Sequence, residues 1–423
     1  MNPKALWNLV RQHPDIQRLW VGETATSFGD FFFWIAMMWL IYVRTGSGLA
    51  TGIMSVVAFL PTVLIGPWCG VLADRWNRRR MMQWANLSQA ILALVLAILL
   101  LGGMKVLWPL YLITALLETT NVIYAPARSG LFPDLLPPDQ LLSANSLFSS
   151  SRQGARLVGS IGGGLVMATL GPIPAIGFDA VMYLVGAFCT ARIAYRPLPV
   201  NTRADTPKAS GQRELAEGWR WLRAHPAILA LTIIGMLSNV ALGPANVLAP
   251  MLIRTTLHSN ALALGVFDAA IGVGIIIGGL VIGSMSIHRV GMVFCGALGL
   301  EALAMAVVAW APNLVVANSG NLLFGAGVVL ANVPAATMHQ RLVPTAMRGR
   351  VSSITMLITG FAIPITYGMV GWIGDGIGAR ASYGGAAVLL GCCMTLALLI
   401  RPLRSLNLSR VPGPKGTKVA EDV

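Results

Sequence analysis

Charged residues are scarce in this chain: only 11% of its 423 residues are Asp, Glu, Lys or Arg, and only 16 residues are acidic. Soluble globular domains carry about 25% charged residues. Such a low charge content, combined with 56% hydrophobic residues, excludes an ordinary soluble globule. The composition therefore predicts a polytopic membrane protein.

Several function classes are disfavoured by what is missing. The five cysteines lie in or beside apolar segments without metal-ligand spacing, so neither a metal site nor a disulfide framework is predicted. The chain has no nucleotide-binding loop, His-Glu-x-x-His or Gly-x-Ser-x-Gly motif, which argues against an enzyme, an ATP-driven pump and a bound cofactor. The net charge of +14 is spread over the ends of apolar segments, so we expect no nucleic-acid partner.

Apolar segments long enough to cross a bilayer recur along the whole chain. A spanning helix needs about 20 apolar residues. We predict an all-α membrane protein with twelve transmembrane helices in two six-helix bundles. The predicted spans are 17–43, 49–72, 81–102, 107–127, 143–170, 174–194, 226–252, 262–286, 291–311, 314–338, 351–374 and 381–400.

The densest charge lies in residues 70–80, between the second and third apolar segments, and contains Asp74 and several arginines. Short loops rich in arginine and lysine remain in the cytoplasm. This loop is therefore predicted to be cytoplasmic. Because the number of spans is even, both termini are predicted to lie on the same cytoplasmic side.

The two halves of the sequence repeat. Arg11-Gln12-His13-Pro14 recurs as Arg223-Ala224-His225-Pro226 at an offset of 212 residues, each time just before an apolar segment. A polar, basic stretch that ends in a predicted surface helix separates the halves. The predicted domains are a first bundle at 1–194, a cytoplasmic linker at 195–224, a second bundle at 225–402 and a cytoplasmic tail at 403–423.

The charged loop resembles the hallmark loop between helices 2 and 3 of the major facilitator superfamily, Gly-x-Leu-Ala-Asp-Arg-x-Gly-Arg-Arg. Asn77 replaces the second glycine, a mild change because Asn tolerates positive φ better than most residues. The resemblance implies secondary transport by alternating access, with Asp74 beneath the start of helix 11. The gating residues that it implies are Gly70, Asp74, Arg75 and Arg78.

A finer resemblance is to the branch of drug and siderophore exporters that includes macrolide efflux proteins and the enterobactin exporter. It rests on Ser27-Phe28-Gly29-Asp30 in helix 1 and Pro126-Ala127-Arg128 after helix 4. In helix 5, residues 159–164 resemble the antiporter signature Gly-Pro-x-x-Gly-Gly, with Ser160 in place of proline. The resemblance implies a monomeric exporter of a small amphipathic molecule, coupled to protons, in the bacterial inner membrane.

Two alternatives remain open at this point. Bacterial lysophospholipid flippases share the Phe-Gly-Asp sequence of helix 1 and the signature after helix 4, so a flippase is the second hypothesis. A membrane regulator that does not transport is the third. A sensor of that kind more commonly carries a sizeable soluble domain.

Ionisable residues near the middle of predicted spans are the candidate site, because burying a charge in a bilayer costs at least ~2.5 kcal/mol. Asp30, Glu118 and Arg156 lie mid-span, and Glu23 lies two turns before Asp30 on the same face. We expect these four residues and Trp34 to line a central cavity that binds substrate and couples protons. A structural ion pair with Arg156 is the alternative.

Other ionisable residues in the spans have weaker predicted roles. Asp179, Asp268 and Asp375 lie near helix ends, where solvated or capping roles are expected. Glu301 lies mid-span in helix 9 and receives no role from the pattern. Helix 4 is predicted to lack the buried arginine found in many proton antiporters of the family.

Overall fold

The computed structural model describes residues 9–195, 211–285 and 289–404, and these ranges are helical with short connections and no β-strand. The first half forms six long helices. They are α1 (Pro14–Thr45), α2 (Gly48–Arg75), α3 (Arg78–Leu101), α4 (Trp108–Leu135), α5 (Leu141–Thr169) and α6 (Pro172–Ala191).

The second half begins with a short helix, α7 (Gly211–Ala224), that packs beside the last long helix. That long helix turns sharply at Gly378, whose φ of 83° and ψ of 165° are readily adopted only by glycine. The other elements are α8 (Pro226–Ala241), α9 (Gly243–Val247), α10 (Ala249–Met251), a π-helical turn (Leu252–Thr256), α11 (Ala261–Ser284), α12 (Val290–Ala309), α13 (Leu314–Leu342), α14 (Thr345–Leu399) and α15 (Arg401–Arg404).

The sequence repeat has a structural counterpart. His13 and His225 are the N-cap residues of α1 and α8, and both have φ of −119° with ψ of 88° and 81°. Proline follows each histidine in the first turn, where its missing N–H leaves no intrahelical bond unmade. The repeated tetrapeptide therefore starts equivalent helices in the two halves.

Nine helices in the described part are long and apolar enough to cross a membrane. One of the nine is α14, whose two legs meet at Gly378. Helices α4 and α5 do not reach the same apolarity, because charged side chains such as Glu118 and Arg156 interrupt them. The predicted all-α membrane fold is confirmed, whereas the count of twelve spans stays a prediction.

Helix α4 is longer than the sequence predicts. The predicted span ends at residue 127, but the helix continues to Leu135 and contains Pro126 and Pro133. Its polar extension is held by ion pairs of Arg128 with Glu23 and of Asp134 with Arg78. Arg128 therefore belongs to helix 4, but its side chain is 31% exposed, so it is not the buried arginine that the sequence predicts to be missing.

Asn77 does not adopt the positive φ expected of a glycine substitute. Its φ is −67°, and its side-chain oxygen accepts a hydrogen bond from the backbone N–H of Arg80. Asn77 is thus the N-cap of α3, a position that Asn favours strongly. The loop between α2 and α3 needs a cap here rather than a left-handed residue.

The halves contact each other at one end of the molecule, which we call the Gly46 end because α1 ends and α2 begins there. Along α2 and α14, a Cβ atom on Gly52 or Gly371 would overlap the backbone of the facing helix. A Cβ atom on Gly265 of α11 would likewise overlap Ser160 of α5. Trp39 of α1 is buried in the apolar core of the second half.

The opposite end, which we call the Asn77 end, is more open between the halves. Gly66 lies about four turns beyond Gly52 on the same face of α2, and Gly360 lies about three turns before Gly371 on α14. Apart from the adjacent backbone of the same helix, no atom in the described part of the chain lies within 4 Å of a Cβ built on Gly66 or Gly360. Helices α2 and α14 therefore diverge from the Gly46 end toward the Asn77 end.

Candidate functional site

A central cavity of about 370 Å³ lies between the two halves. Four predicted site residues line it: Asp30, Trp34, Glu118 and Arg156. The fifth, Glu23, lines an adjoining cavity of about 230 Å³, which Asp30 also reaches. The second half contributes Asn246, Asp268 and Tyr367 to the central cavity.

Asp30 is held by α6. The buried hydroxyl of Tyr183 donates a hydrogen bond of 2.5 Å to Oδ1 of Asp30. Asp179, one turn before Tyr183, is also buried, and its Oδ1 has no hydrogen-bond partner among the described residues. Gly29 makes room for it, since a Cβ at Gly29 would overlap the Asp179 carboxyl group. Because Asp179 is buried in this way, the expectation that it is exposed to solvent or caps a helix is wrong.

Glu118 faces the same cavity from α4. Its contact is a long hydrogen bond of 3.4 Å from the amide of Asn121, one turn further along the helix. Within the described ranges, neither Glu118 nor Asp30 forms an ion pair with arginine or lysine. The cavity thus holds two carboxyl groups whose charge no direct basic partner cancels.

Arg156 does form an ion pair, but its partner is Asp268 of the second half. The guanidinium Nη2 lies 2.8 Å from Oδ1 of Asp268, and Ser160 donates a hydrogen bond of 2.6 Å to the same carboxylate. The expected solvated or capping role of Asp268 is therefore wrong. The close approach of Gly265 to α5 brings the start of α11, and Asp268 with it, beside Arg156.

Glu23 pairs with Arg128, a residue that sequence reasoning placed after helix 4 rather than in it. The guanidinium of Arg128 also lies 5.1 Å and 5.5 Å from the ring centres of Phe132 and Phe148. Tyr124 donates a hydrogen bond of 3.4 Å to Glu23. This cluster ties α1 to α4 on the side of the cavity that faces the Asn77 end.

Arg152 was missed by sequence reasoning, although it lies one turn before Arg156 on the same face of α5. It lines both the central and the adjoining cavity. Arg152 is exposed, and within the described ranges no hydrogen bond or ion pair holds its side chain. The spacing of Arg152 and Arg156 was the available signal, because both face inward from one helix.

The predicted gating residues lie at the junction of α2 and α3. Gly70, Asp74 and Arg75 fall in the last turns of α2, and their side-chain environment lies outside what the structure describes. Arg78 donates hydrogen bonds of 2.9 Å to the carbonyl oxygen of Gly130 and 2.7 Å to Asp134. These contacts join Arg78 to α4 within the first half.

Asp134 also accepts a hydrogen bond of 2.8 Å from Tyr195, which follows α6. Burial, together with this hydrogen bond, raises the pKa of the Tyr195 hydroxyl above its ordinary value. The hydroxyl therefore stays protonated and remains a donor. Asp134 consequently joins the ends of α3, α4 and α6 at the Asn77 end.

No group of three or more His, Cys, Asp or Glu residues suited to a metal ion occurs in residues 9–195, 211–285 and 289–404. The central cavity offers carboxyl groups, arginines and neutral polar side chains. Carboxyl groups in such a setting can bind and release protons or pair with a charged ligand.

Comparison with known proteins agrees with this architecture. Residues 19–367 match the Major Facilitator Superfamily. The chain is 23% identical to macrolide efflux protein A of Streptococcus pyogenes over 398 residues, covering 92% of this chain and 96% of that protein. It is 24% identical to the putative bacilysin exporter of Bacillus subtilis over 355 residues, covering 83% of this chain and 86% of that protein.

Among solved structures, the fold is similar to that of a bacterial homologue of the iron transporter ferroportin in an inward-facing state. The TM-score is 0.69 at 16% identity, and the match covers 91% of this chain and 98% of the other. With this coverage, the likeness extends over both halves of the chain. The chain belongs to the Major Facilitator Superfamily and is a multi-pass membrane transporter of small molecules.

Proposed function

We propose that the protein exports an amphipathic organic molecule by alternating access and couples this export to proton entry. The observation that carries the proposal is the central cavity, in which Asp30 and Glu118 lie between the two halves without a basic ion-pair partner among the described residues. Transporters whose halves rock about a central site need ionisable groups there to couple ion movement to substrate movement.

The arrangement of the halves supports a state that is open toward the Asn77 end. Close glycine contacts seal the Gly46 end, while α2 and α14 diverge at the other end. We propose that the Asn77 end faces the cytoplasm, because its arginine-rich loop follows the positive-inside pattern. Both termini and the segment 195–224 then lie in the cytoplasm, and the protein is a monomer in the bacterial inner membrane.

The lining of the cavity supports an amphipathic substrate. Phe31, Phe33, Trp34 and Phe59 provide apolar surface, and Asn121 and Gln89 provide polar groups in the same cavity. Polar and charged side chains make up the larger share of the lining and apolar side chains the rest, a combination that suits a molecule with both a polar and an apolar part. Two relatives are named for macrolide and bacilysin export, which supports the drug or siderophore class for this chain.

Export by proteoliposomes with an imposed proton gradient tests this proposal. The double variant Asp30→Asn, Glu118→Gln should bind substrate but lose gradient-driven export, because neither side chain can then take up a proton. Comparison of the two single variants, Asp30→Asn and Glu118→Gln, shows which residue contributes more to gradient-driven export. Glu217→Gln, on α7 outside both cavities, is the matched control and should export normally. Gradient-driven export by the double variant at the wild-type rate would show that protons travel elsewhere.

Arg152 favours a second candidate function, a lysophospholipid flippase. An arginine that faces the cavity and has no ion-pair partner among the described residues suits the phosphate of a lipid headgroup, because guanidinium donors match phosphate oxygens. Uptake of radiolabelled lysophospholipid by spheroplasts, compared with a susceptibility panel of drugs and siderophores, separates the two functions. Uptake that is lost in Arg152→Gln, without any change in susceptibility, would favour the flippase.

A further inference from the structure

A second cavity, of about 470 Å³, lies within the second half of the protein. Residues of helices α8, α12, α13 and α14 line it, and it shares no lining residue with the central cavity. Leu231, Phe294 and Met356 contribute apolar walls. It is larger than the central cavity, and the family resemblance does not account for the carboxyl group in its wall.

Glu301 of α12 supplies that carboxyl group. Its side chain lines the cavity, and the residue is only 4% exposed. A Cβ atom on Gly327 would lie 2.7 Å from Cγ of Glu301, so α13 accommodates the glutamate side chain only because it has glycine at this position. In the described part of the chain, no hydrogen bond, arginine or lysine partners the Glu301 carboxyl group.

The charges around Glu301 favour a cationic ligand. A carboxylate in an apolar setting is costly unless a positive charge or hydrogen bonds compensate it. Among the residues that the structure describes, no arginine or lysine lines the cavity, and His339 is the other ionisable residue in its wall. Asn239 and Asn332 add neutral amide groups. A ligand that brings its own positive charge would therefore supply the partner that the described residues do not provide for Glu301.

The side chains that line this cavity also indicate which kind of cation it would bind. Inorganic divalent cations need several oxygen ligands, and no group of three acidic or metal-binding side chains occurs here within the described ranges. The apolar walls instead favour a cation with a hydrocarbon or aromatic body. A single carboxylate in a cavity whose surface is mostly apolar is a suitable site for such an ion.

We propose that this cavity is a binding site for a monovalent organic cation with an apolar body, and that Glu301 is its counter-ion. The site lies apart from the central cavity and does not depend on the export proposed above. It gives the second half a ligand-binding role of its own.

Binding of radiolabelled tetraphenylphosphonium to the purified full-length protein in detergent tests the proposal. The parent for these measurements is the Asp30→Asn, Glu118→Gln double variant, because binding at the central carboxyl groups is then weakened. Adding Glu301→Gln should lower the affinity at least tenfold, whereas adding Glu217→Gln should not change it. Glu301→Asp, which keeps the charge, should retain most of the binding.

A second variant tests the cavity without touching the carboxyl group. Ala331, which lines the cavity and is 7% exposed, can be replaced by leucine to fill part of the space. Ala331→Leu should also weaken tetraphenylphosphonium binding. Triphenylphosphine oxide, a neutral compound of similar shape, should bind weakly and equally to the parent and to Glu301→Gln. The elution profile in gel filtration verifies that each variant is folded.

Three results would overturn the proposal. One is absence of saturable tetraphenylphosphonium binding to the parent. Another is parental affinity after Glu301→Gln, which would leave Glu301 as a buried acid without a ligand. The third is a loss of triphenylphosphine oxide binding after Glu301→Gln that equals the loss of tetraphenylphosphonium binding. Such a result would indicate an apolar cavity that does not select its ligand by charge. Failure of proton-driven export in the separate liposome assay would leave all these readouts unchanged, so the two proposals fail independently.

Discussion

Asp375, shortly before the turn in α14, accepts a hydrogen bond of 2.5 Å from the backbone N–H of Gly48, the first residue of α2. The same carboxylate accepts hydrogen bonds from the N–H of Leu49 at 3.0 Å and from the hydroxyl of Ser47 at 2.6 Å. A residue of the second half therefore caps a helix of the first half. The expected capping role of Asp375 agrees with these contacts.

Asp375→Ala should open the Gly46 end. The carboxylate faces the positive end of the α2 dipole and satisfies N–H groups that have no intrahelical partner. Its loss should cost the closed Gly46 end about 2 kcal/mol, roughly a 30-fold change in population. Electron-spin distance measurements between nitroxides on cysteines at Thr45 and Gly376, in a cysteine-free background, should show a larger open population.

Asp139→Ala is the matched control for this measurement, because Asp139 is exposed and lies outside the contact between the halves. Asp375→Asn should give an intermediate result, since an amide oxygen still accepts hydrogen bonds but carries no charge. An unchanged distance distribution in Asp375→Ala would show that the glycine contacts alone keep this end closed.

Asp74→Asn should have the opposite effect. The family resemblance places Asp74 beneath the start of helix 11, which corresponds to the start of α14, so its carboxylate would hold the Asn77 end closed in the alternate state. Removing the charge should favour the state that is open at the Asn77 end and reduce transport without loss of protein. Labelling of a cysteine introduced at Gly360 should become faster.

Wild-type transport by a well-expressed Asp74→Asn protein would contradict this role. Combining Asp74→Asn with Asp375→Ala provides a stricter comparison. The two changes weaken opposite closed states, so the double variant should have a population closer to wild type than either single variant.

The sequence was sufficient for the family, the helical fold and the main cavity residues, because each left a local signal. Because a charged side chain inside a membrane is costly, the mid-span residues Asp30, Glu118 and Arg156 can be identified from the sequence. All three line the central cavity. The partner of Arg156 was not predictable, since Asp268 lies on a helix of the other half. That contact depends on how closely α5 and α11 approach, which no local pattern encodes.

The polar end of α4 was missed for a related reason. An apolar run in the sequence marks the part of a helix that contacts lipid. Helix α4 continues beyond that part, where Arg128 pairs with Glu23 of α1. The family motif has glycine at the position of Asn77, which is why a positive φ is expected there from the sequence. In this chain Asn77 caps α3, which depends on local hydrogen bonding rather than on backbone freedom.

Accessibility from each side of the membrane tests the orientation. Cysteines at Gly46 and Asn260 should react with an impermeant maleimide added outside intact cells, whereas cysteines at Asn77 and Asp205 should not. The reason is that arginine-rich loops remain in the cytoplasm. Both inward positions should react after the cells are permeabilised. Labelling of the Asn77 position in intact cells would mean that the assigned orientation is reversed.

The ion pair between Arg156 and Asp268 yields a prediction on stability. Removing one member of a buried pair costs about 3–5 kcal/mol. These side chains are 23% and 20% exposed to the cavity, so we expect roughly 1–3 kcal/mol instead. Arg156→Gln and Asp268→Asn should each lower the thermal unfolding midpoint and the yield of folded protein. The double variant should recover much of both, because no charge is left unpaired.

The pair of Arg18 with Asp15 is a suitable control, since Arg18 is 43% exposed and its pairing is worth little. Arg18→Gln should shift the unfolding midpoint far less than Arg156→Gln. Equal and additive losses in Arg156→Gln, Asp268→Asn and their combination would show that the two residues do not stabilise each other. A loss in the double variant that is smaller than the sum of the two single losses would show that Arg156 and Asp268 stabilise each other. Helices α5 and α11 must then either break this ion pair or move together when the halves move.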